Sequence, residues 1–202
     1  MLREILDLFR LRPQQSRIQR DIDQMRQTTA VWLNEIVPWN TQELELLSYR
    51  VTNANPRKWT PQNKEFRGIF NSVYNEPVAI LNYKRYTPQH SIWRIRIQPH
   101  ELLYIKNNQQ VKVFLDSTPV AILSGDVLYA LKNQIIIGRI DYQHGPNPSV
   151  EIKGKDLSLI NPPNPDLSIN QRVIQLFSRP NEDDEIVFLT LVFWFMLKKT
   201  LT

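Results

Sequence analysis

Four cations that fall close together in the sequence are the side chains best suited to chemistry. Two of them, Arg94 and Arg96, alternate with apolar residues in a predicted strand, so both should lie on its outer face. A basic patch can hold a phosphorylated or otherwise anionic group, with about 1 kcal/mol from each cation near an anionic surface. Ordinary surface charge, paired with neighbours such as Glu101, is the alternative. The predicted ligand-binding residues are Lys84, Arg85, Arg94 and Arg96, with Tyr83, Tyr86 and Trp93 beside them.

The sequence offers little to a catalytic mechanism. It has no Gly-rich phosphate loop and neither a GxSxG nor an HExxH motif. It contains no cysteine, which excludes disulfides, thiolate catalysis and cysteine-ligated metals. Its three histidines are scattered, and the acidic residues 183–185 are better explained by the start of a helix than by a metal site. We therefore predict a non-enzymatic protein with no catalytic residues, no metal and no cofactor.

The charge balance bears on partners and location. The chain of 202 residues carries a net charge of +5, and a basic excess can attract the phosphates of nucleic acid or of an anionic membrane. We do not expect nucleic acid as a partner, because the core accounts for the aromatic residues that would stack on bases. Charges at Arg3, Glu4 and Asp7 are not typical of a secretory signal. We expect a cytoplasmic protein, with peripheral attachment to an anionic membrane surface as one form of it.

A strongly apolar segment near the C-terminal end must be surrounded on every side. Residues 186–197 read IVFLTLVFWFML, whereas a helix that spans a bilayer needs roughly 20 apolar residues. Asn181 can cap this helix, four acidic residues follow it, and Lys198 and Lys199 suit the other end of the helix dipole. The pattern predicts a helix over 181–199, buried within the protein. Phe188, Leu191, Val192 and Phe195 should then be almost inaccessible.

Alternating residues predict strands from about residue 65 onward. A barrel of about eleven or twelve strands is wide enough to hold a helix, whereas an eight-stranded barrel is filled by its own side chains. The predicted fold is α+β but mainly β: a closed antiparallel β-barrel around the buried C-terminal helix, with an N-terminal helical extension. Nine or ten strands are predicted, at 66–73, 78–86, 91–98, 101–106, 111–115, 120–124, 127–132, 134–142, 150–153 and 172–177.

One five-residue sequence occurs twice. Residues 77–81 and 119–123 both read PVAIL, and at the same offset Ile69 and Val73 align with Val111 and Leu115. Both copies read as strand, turn, strand. The match predicts a barrel built from repeated hairpins.

Residues 1–55 are predicted as a helical extension, and residues 56–202 as the barrel domain. Leu2, Ile5, Leu6 and Phe9 have helical spacing. A second helix, near 15–37, forms an apolar seam, and a third opens with a cap at Asn40 and carries Leu44, Leu47 and Tyr49. The extension either packs on the barrel or recruits a protein partner as a scaffold. The candidate partner-binding residues are Ile18, Ile22, Met25 and Trp32.

A many-stranded antiparallel barrel threaded by one very hydrophobic C-terminal helix resembles the tubby-like superfamily, which includes tubby C-terminal domains, phospholipid scramblases and the plant LURP-one-related proteins. The resemblance rests on the hairpins 69–81 and 111–123, the glycine-bearing strand 135–141 and the acid-led helix from Asp183. It covers roughly the last two thirds of the chain. It implies a phosphoinositide-like ligand, an anionic lipid head group at a membrane surface.

Overall fold

The computed structural model describes residues 15–38, 41–54, 64–143, 145–164 and 170–201. The described residues form twelve antiparallel strands in one sheet, with each strand paired to the next along the chain. This confirms the prediction of a mainly β, antiparallel barrel. The strands are β1 Leu47–Thr52, β2 Lys64–Ser72, β3 Pro77–Thr87, β4 His90–Arg96, β5 Glu101–Asn107, β6 Gln110–Leu115, β7 Thr118–Ser124, β8 Val127–Ala130, β9 Ile136–Asp141, β10 Ser149–Ile152, β11 Lys155–Ile160 and β12 Ile174–Leu176.

The sheet curls round until its two edge strands almost meet. Ser48 and Arg172 form an isolated antiparallel bridge, and the Val173 amide donates to the Leu47 carbonyl oxygen at 2.8 Å. At this seam between the two edge strands, the Glu45 side chain adds one more hydrogen bond: its Oε1 accepts from the Leu176 amide at 2.9 Å. The barrel is therefore nearly closed, and its seam has far fewer hydrogen bonds than the other strand junctions.

The C-terminal helix, α2 (Glu182–Leu201), packs on the concave side of this sheet. Phe188, Leu191, Val192 and Phe195 are at most 1% exposed, as predicted. The Asn181 side chain accepts a hydrogen bond from the Asp184 amide at 2.8 Å, which confirms the predicted cap. Among the described residues, no helix combines the length and the apolar character needed to cross a membrane.

Strand β9 shows how closely the sheet approaches the helix. A Cβ atom added to Gly138 would lie 2.9 Å from Leu191 Cδ1 and 3.2 Å from Val187 Cγ1. The one hydroxyl in the apolar segment is also satisfied, because Thr190 Oγ1 donates to the Ile186 carbonyl oxygen at 2.7 Å. Tyr104, fully buried in β5, donates to the Thr190 carbonyl oxygen at 2.9 Å. Helix and barrel therefore share one core, in which the hydroxyls of Thr190 and Tyr104 are both paired.

Two-residue turns join several of the strands. Asp116 and Ser117, between β6 and β7, both have positive φ (48° and 71°), as do Lys153 and Gly154 between β10 and β11 (50° and 81°). Positive φ at both central residues is the requirement of a type I′ turn, whose twist matches that of the flanking strands. Such short turns fix which side chains face the helix.

The N-terminal part differs from the prediction. Leu47 and Tyr49 lie in strand β1, which pairs with β2, and only residues Thr41–Leu46 before it form a 3-10 helix. The predicted third helix is therefore wrong beyond Leu46, and the sheet already includes Leu47–Thr52. Apolar residues two apart fit a strand as well as a short helix, and pairing with β2 decides between them.

The second predicted helix is also shorter than expected. Helix α1 spans Gln15–Thr28, and a separate 3-10 helix follows at Ala30–Asn34. Strand β11 was not predicted at all. The predicted helix around Leu2, Ile5, Leu6 and Phe9, the cap at Asn40 and the boundary at residues 55–56 lie outside the described residues.

The repeated PVAIL sequence occupies equivalent places in two hairpins. In each, the alanine has an inward-facing partner (Phe70 opposite Ala79, Val113 opposite Ala121), and the register shifts before the proline. The predicted alignment of Ile69 with Val111 is wrong by one residue. Ile69 packs with Ile36 and Ile80 outside the barrel, whereas Val111 belongs to the inner core.

Candidate functional site

The four cations predicted as one patch are divided between the two faces of the sheet. Lys84 lies opposite Ile92 on the outer face, whereas Arg85 lies opposite Ser91 on the inner face, because successive residues of a strand point in opposite directions. Arg94 and Arg96 occupy the outer face as predicted. The single patch of Lys84, Arg85, Arg94 and Arg96 is therefore not formed.

Arg94 is on the outer face but not on the surface, since only 3% of it is exposed. Its Nε donates to Glu101 Oε2 at 2.6 Å, and its Nη1 donates to Asn82 Oδ1 at 2.9 Å and to Thr29 Oγ1 at 3.2 Å. Burial lowers the pKa of Arg94, although the Glu101 carboxylate opposes that shift. The predicted exposure of Arg94 is wrong because the N-terminal segment covers the strand.

Lys84 is held in the same manner. Its Nζ lies 2.9 Å from Asp21 Oδ1 of α1 and 2.8 Å from Glu65 Oε1 of β2. Burial acts to lower the pKa of Lys84, but hydrogen bonds to Glu65 and Asp21 outweigh burial and raise it. Tyr86 donates to Asp21 Oδ2 at 2.5 Å. Lys84 therefore fastens α1 to the barrel.

The apolar seam of the N-terminal segment is used in the same packing. Ile22 and Met25 form a cluster with Tyr86, Ile92 and Leu103 of the barrel. Ile18 borders that cluster, and Trp32 packs against the separate cluster formed by Ile36, Ile69 and Ile80. The four candidate partner-binding residues thus contact the chain's own barrel.

A second group of cations lies inside the barrel, at the end where α2 finishes. Pairing places Lys64 of β2 opposite Arg85 of β3, Arg85 opposite Ser91 of β4, and Ser91 opposite Lys106 of β5. Lys64, Arg85 and Lys106, the cationic row, therefore face the interior in one line, with Ser91 between Arg85 and Lys106. Lys64 and Arg85 are like charges directly opposite each other, and such a pair favours an anion that contacts both.

Two residues deeper along the same strands lies an aromatic row: Phe66, Tyr83, Trp93 and Tyr104, again opposite one another. The rings of Tyr83 and Trp93 stack with centroids 5.3 Å apart, and Trp194 of α2 meets Trp93 edge-on at 5.5 Å. Burial raises the pKa of Tyr83, and the nearby Arg85 guanidinium opposes this. The two rows place positive charge directly above an apolar floor.

The cationic row and two members of the aromatic row, Tyr83 and Trp93, border an open cleft of about 680 Å³. Its lining includes Lys64, Arg85, Lys106 and Lys198, the rings of Tyr83, Trp93 and Trp194, and the apolar Val111 and Leu197. Asp126, in the turn between β7 and β8, is the sole carboxylate among the described residues that line it. The volume is in the range of sites that hold small organic molecules.

Asp126 organises one side of the cleft. Its carboxylate forms an ion pair with Lys198, accepts a hydrogen bond from Trp194 Nε1 at 3.2 Å, and accepts another from the Tyr142 hydroxyl at 2.8 Å. Burial, together with this bond to Asp126, raises the pKa of Tyr142. The end of α2 and the rim of the barrel are thereby joined.

Several cations line the cleft at the C-terminal end of α2. The C-terminal end of a helix carries roughly half an elementary negative charge. Among the described residues that line the cleft, four are cations and one is a carboxylate. Positive side chains at this end of the barrel therefore complement the helix dipole and could also contact an anion.

The described residues offer no comparable site for a metal. No group of three histidine, aspartate or glutamate side chains among them is close enough to hold an ion. Among the acidic residues at the start of α2, Asp184 forms an ion pair with Lys153, with 2.5 Å between Asp184 Oδ1 and Lys153 Nζ.

Comparison with protein-family models, with curated proteins and with solved structures finds no match for this chain. Its function must therefore be argued from the cleft itself. Sequence reasoning found Arg85, Tyr83 and Trp93 but missed Lys64, Lys106, Lys198 and Asp126. The missing signal for Lys64 and Lys106 was the cross-strand register, and for Lys198 and Asp126 it was the packing of α2 against the turn between β7 and β8.

Proposed function

We propose that this protein is a non-enzymatic binding protein that recognises an anionic, phosphorylated head group in the cleft at the end of its barrel. The observation that carries the proposal is the cationic row above an aromatic floor, with a single carboxylate among the described lining residues. The proposed site shares Arg85 with the patch expected from the sequence. Lys64, Lys106 and Lys198 take the place of the other three cations.

A lipid surface is the source of head group that the architecture favours. We propose that the chain is related to the tubby-like superfamily, because an apolar C-terminal helix lies within a sheet of twelve antiparallel strands. That relationship would imply a phosphoinositide-like ligand and peripheral attachment to a membrane. The four cations among the described lining residues support the same class of ligand independently of the relationship.

Flotation with vesicles tests the proposal. The wild-type protein should float at low salt with vesicles that contain a phosphoinositide and remain behind with neutral vesicles. The double variant Lys64→Gln, Lys106→Gln should bind about thirtyfold more weakly, because each cation near an anionic surface contributes about 1 kcal/mol. A wild-type protein that ignores phosphoinositide vesicles at low salt would disprove lipid recognition.

A matched control separates a site from net charge. Lys112 and Lys132 are exposed, and Lys112 lies outside the barrel opposite Ile105 and Ile122. The double variant Lys112→Gln, Lys132→Gln removes the same charge and should bind almost as well as the wild type. An equal loss in both double variants would show that binding follows net charge and not the cleft.

Recruitment of a protein partner through the N-terminal helices is the second proposal. Such a partner would have to replace the contacts that Ile22 and Met25 make with the barrel, or bind beside Ile18 at the edge of that cluster. The cleft needs no such rearrangement, and we therefore place head-group recognition first.

A further inference from the structure

We propose that a groove on the outer wall of the barrel is the docking site for residues 2–11 of the same chain. The groove lies beside the first turn of α1 and runs over strands β3 to β6. Its apolar lining is on the outer face of the sheet, whereas the pair Lys64 and Arg85 faces the interior. Docking in this groove is therefore separate from the head-group recognition proposed for the cleft.

The groove has a volume of about 360 Å³ and combines apolar and polar side chains. Ile92 is fully buried and Tyr86 is 8% exposed, whereas Ile18, Ile105 and Phe114 are partly exposed. The other lining residues are polar: Gln15, His90, Ser91, Lys106, Asn107 and Lys112. Partly exposed apolar side chains beside polar ones suit an amphipathic segment, which buries one face and leaves the other in water.

The groove continues an interface that α1 already forms. Ile22 of α1 packs in the cluster on the outer wall of the barrel. Ile18, one turn earlier in α1, borders that cluster, as do Ile105 and Phe114 of the barrel. The groove reaches as far as Gln15, the first residue of α1. Apolar surface on the barrel is therefore present at the point where the chain enters the helix.

The residues just before α1 cannot lie far from this groove. Leu11 precedes Gln15 by four residues, and four fully extended residues span at most about 14 Å. Pro13 disfavours helical backbone at Arg12, and short connections are usual between neighbouring helices. A chain that reverses its direction at residues 12–14 therefore reaches the groove.

Residues 2–11 have the apolar pattern that such a groove requires. Leu2, Ile5, Leu6 and Phe9, the apolar stripe, repeat at the spacing of one helix face, and Glu4 falls on the opposite side of that pattern. Amphipathic helices bind in grooves through apolar residues spaced in this way. Left uncovered, the stripe would be a contiguous apolar patch, which is a mark of an interaction site.

The covalent connection favours this occupant over a separate molecule. A short linker gives the tethered segment an effective concentration of about a millimolar, which a second copy of the chain or another protein would have to match. An anionic membrane is a further place where an amphipathic segment can bury its apolar face. A second copy would make docking depend on protein concentration, and a membrane would make it depend on lipid.

Protection of a single thiol tests docking in the full chain, whose own sequence has no cysteine. The thiol lies in the apolar stripe in the variant Leu6→Cys and outside it in the control variant Glu4→Cys. Relative to the same protein in denaturant, a labelling reagent should modify Leu6→Cys at least about tenfold more slowly than Glu4→Cys, because labelling requires an apolar contact to open. Adding Phe114→Ala should accelerate labelling of Leu6→Cys severalfold. Adding Phe177→Ala, at a residue that is 58% exposed and does not line the groove, should not.

A double-mutant cycle supplies a second measurement without an introduced thiol. Phe9→Ala and Phe114→Ala should each increase the equilibrium constant of unfolding. Their combined effect should be severalfold smaller than the product of the separate effects, because either substitution weakens the same docked contact. In the control cycle of Phe9→Ala with Phe177→Ala, the two effects should simply multiply.

The outcomes identify what covers the groove. Equal labelling of Leu6→Cys and Glu4→Cys, together with a cycle whose effects multiply, would overturn docking. Protection that disappears on dilution would assign the groove to a second copy, and protection that arises only with anionic vesicles would assign the stripe to a membrane; either result would overturn the inference. Flotation of Phe114→Ala with phosphoinositide vesicles should match that of the wild type, so a failure of docking can be distinguished from a failure of the cleft proposal.

Discussion

Glu101 connects the N-terminal helix to the barrel more directly than any residue singled out from the sequence. Its carboxylate accepts hydrogen bonds from Arg26 of α1 at 2.6 Å and from Arg94 of β4 at 2.6 Å, and it is 7% exposed. Burial acts to raise the pKa of Glu101, but the two guanidinium groups outweigh burial and lower it. The Glu101 carboxylate thus pairs with one guanidinium group from α1 and one from β4.

This pairing predicts a stability that depends on pH. Because the pKa of Glu101 is lower in the folded than in the unfolded protein, its contribution is complete above its ordinary value of 4.5 and is lost as pH falls through the lowered value. Glu101→Gln should cost about 3–5 kcal/mol at pH 7, because a buried ion pair is broken. The difference from wild type in the free energy of unfolding should then shrink below about pH 4.5.

Chemical denaturation of both proteins between pH 3 and pH 8 measures this difference. Glu43→Gln, at an exposed position, is the control and should change stability little at any pH. A Glu101→Gln cost that stays constant down to pH 3 would argue against the charged pair.

At the residue scale, the sequence indicated on which face of a strand a side chain lies, but not whether another segment of the chain covers that face. Alternation with Trp93, Ile95 and Ile97 correctly placed Arg94 on the outer face. It could not reveal that Thr29 and Arg26 would approach from a segment about 65 residues away. The same limit hid Lys64 and Lys106, whose proximity to Arg85 depends on the pairing of four strands, β2 to β5.

At the element scale, α2 was predicted almost completely because its signals are local. A segment that is apolar on all faces must be enclosed, and a cap followed by acidic residues marks its start. The short elements were predicted less well. Strand β11 (KDLSLI) has a charged start and weak alternation, and β1 was mistaken for helix, because both depend on neighbouring strands for their stability.

Burial of α2 can be tested with one matched pair of substitutions. Leu191 is fully buried, so Leu191→Asp would bury a charge without a partner at a cost comparable to the whole stability of a domain. Ile135→Asp introduces the same charge at a residue that is 59% exposed and should be tolerated. The checks are soluble expression and the cooperativity of thermal unfolding; a soluble, cooperatively folding Leu191→Asp protein would contradict the burial of this helix.

At the scale of the whole molecule, the strands are paired more firmly on one side of the barrel than at its seam. The strands β2 to β7 are paired over long registers, whereas β12 has three residues and pairs with β11 alone. Across the seam, β1 and the segment before β12 share one isolated bridge. We therefore expect the barrel to open first between β1 and β12, because local opening begins where few hydrogen bonds must break.

Hydrogen exchange at backbone amides tests this order of opening. The amides of β12 should exchange faster than those at the centres of β3 and β4 in the wild-type protein. Glu45→Ala removes the acceptor that holds the Leu176 amide at 2.9 Å, a bond worth about 1 kcal/mol, so exchange in β12 should accelerate by about fivefold while β3 and β4 change little. Glu43→Ala alters an exposed glutamate in the same 3-10 helix and should leave both regions unchanged. Equal acceleration of all strands by Glu45→Ala would mean that the barrel opens only as a whole, and the seam would then be as strong as the remaining junctions.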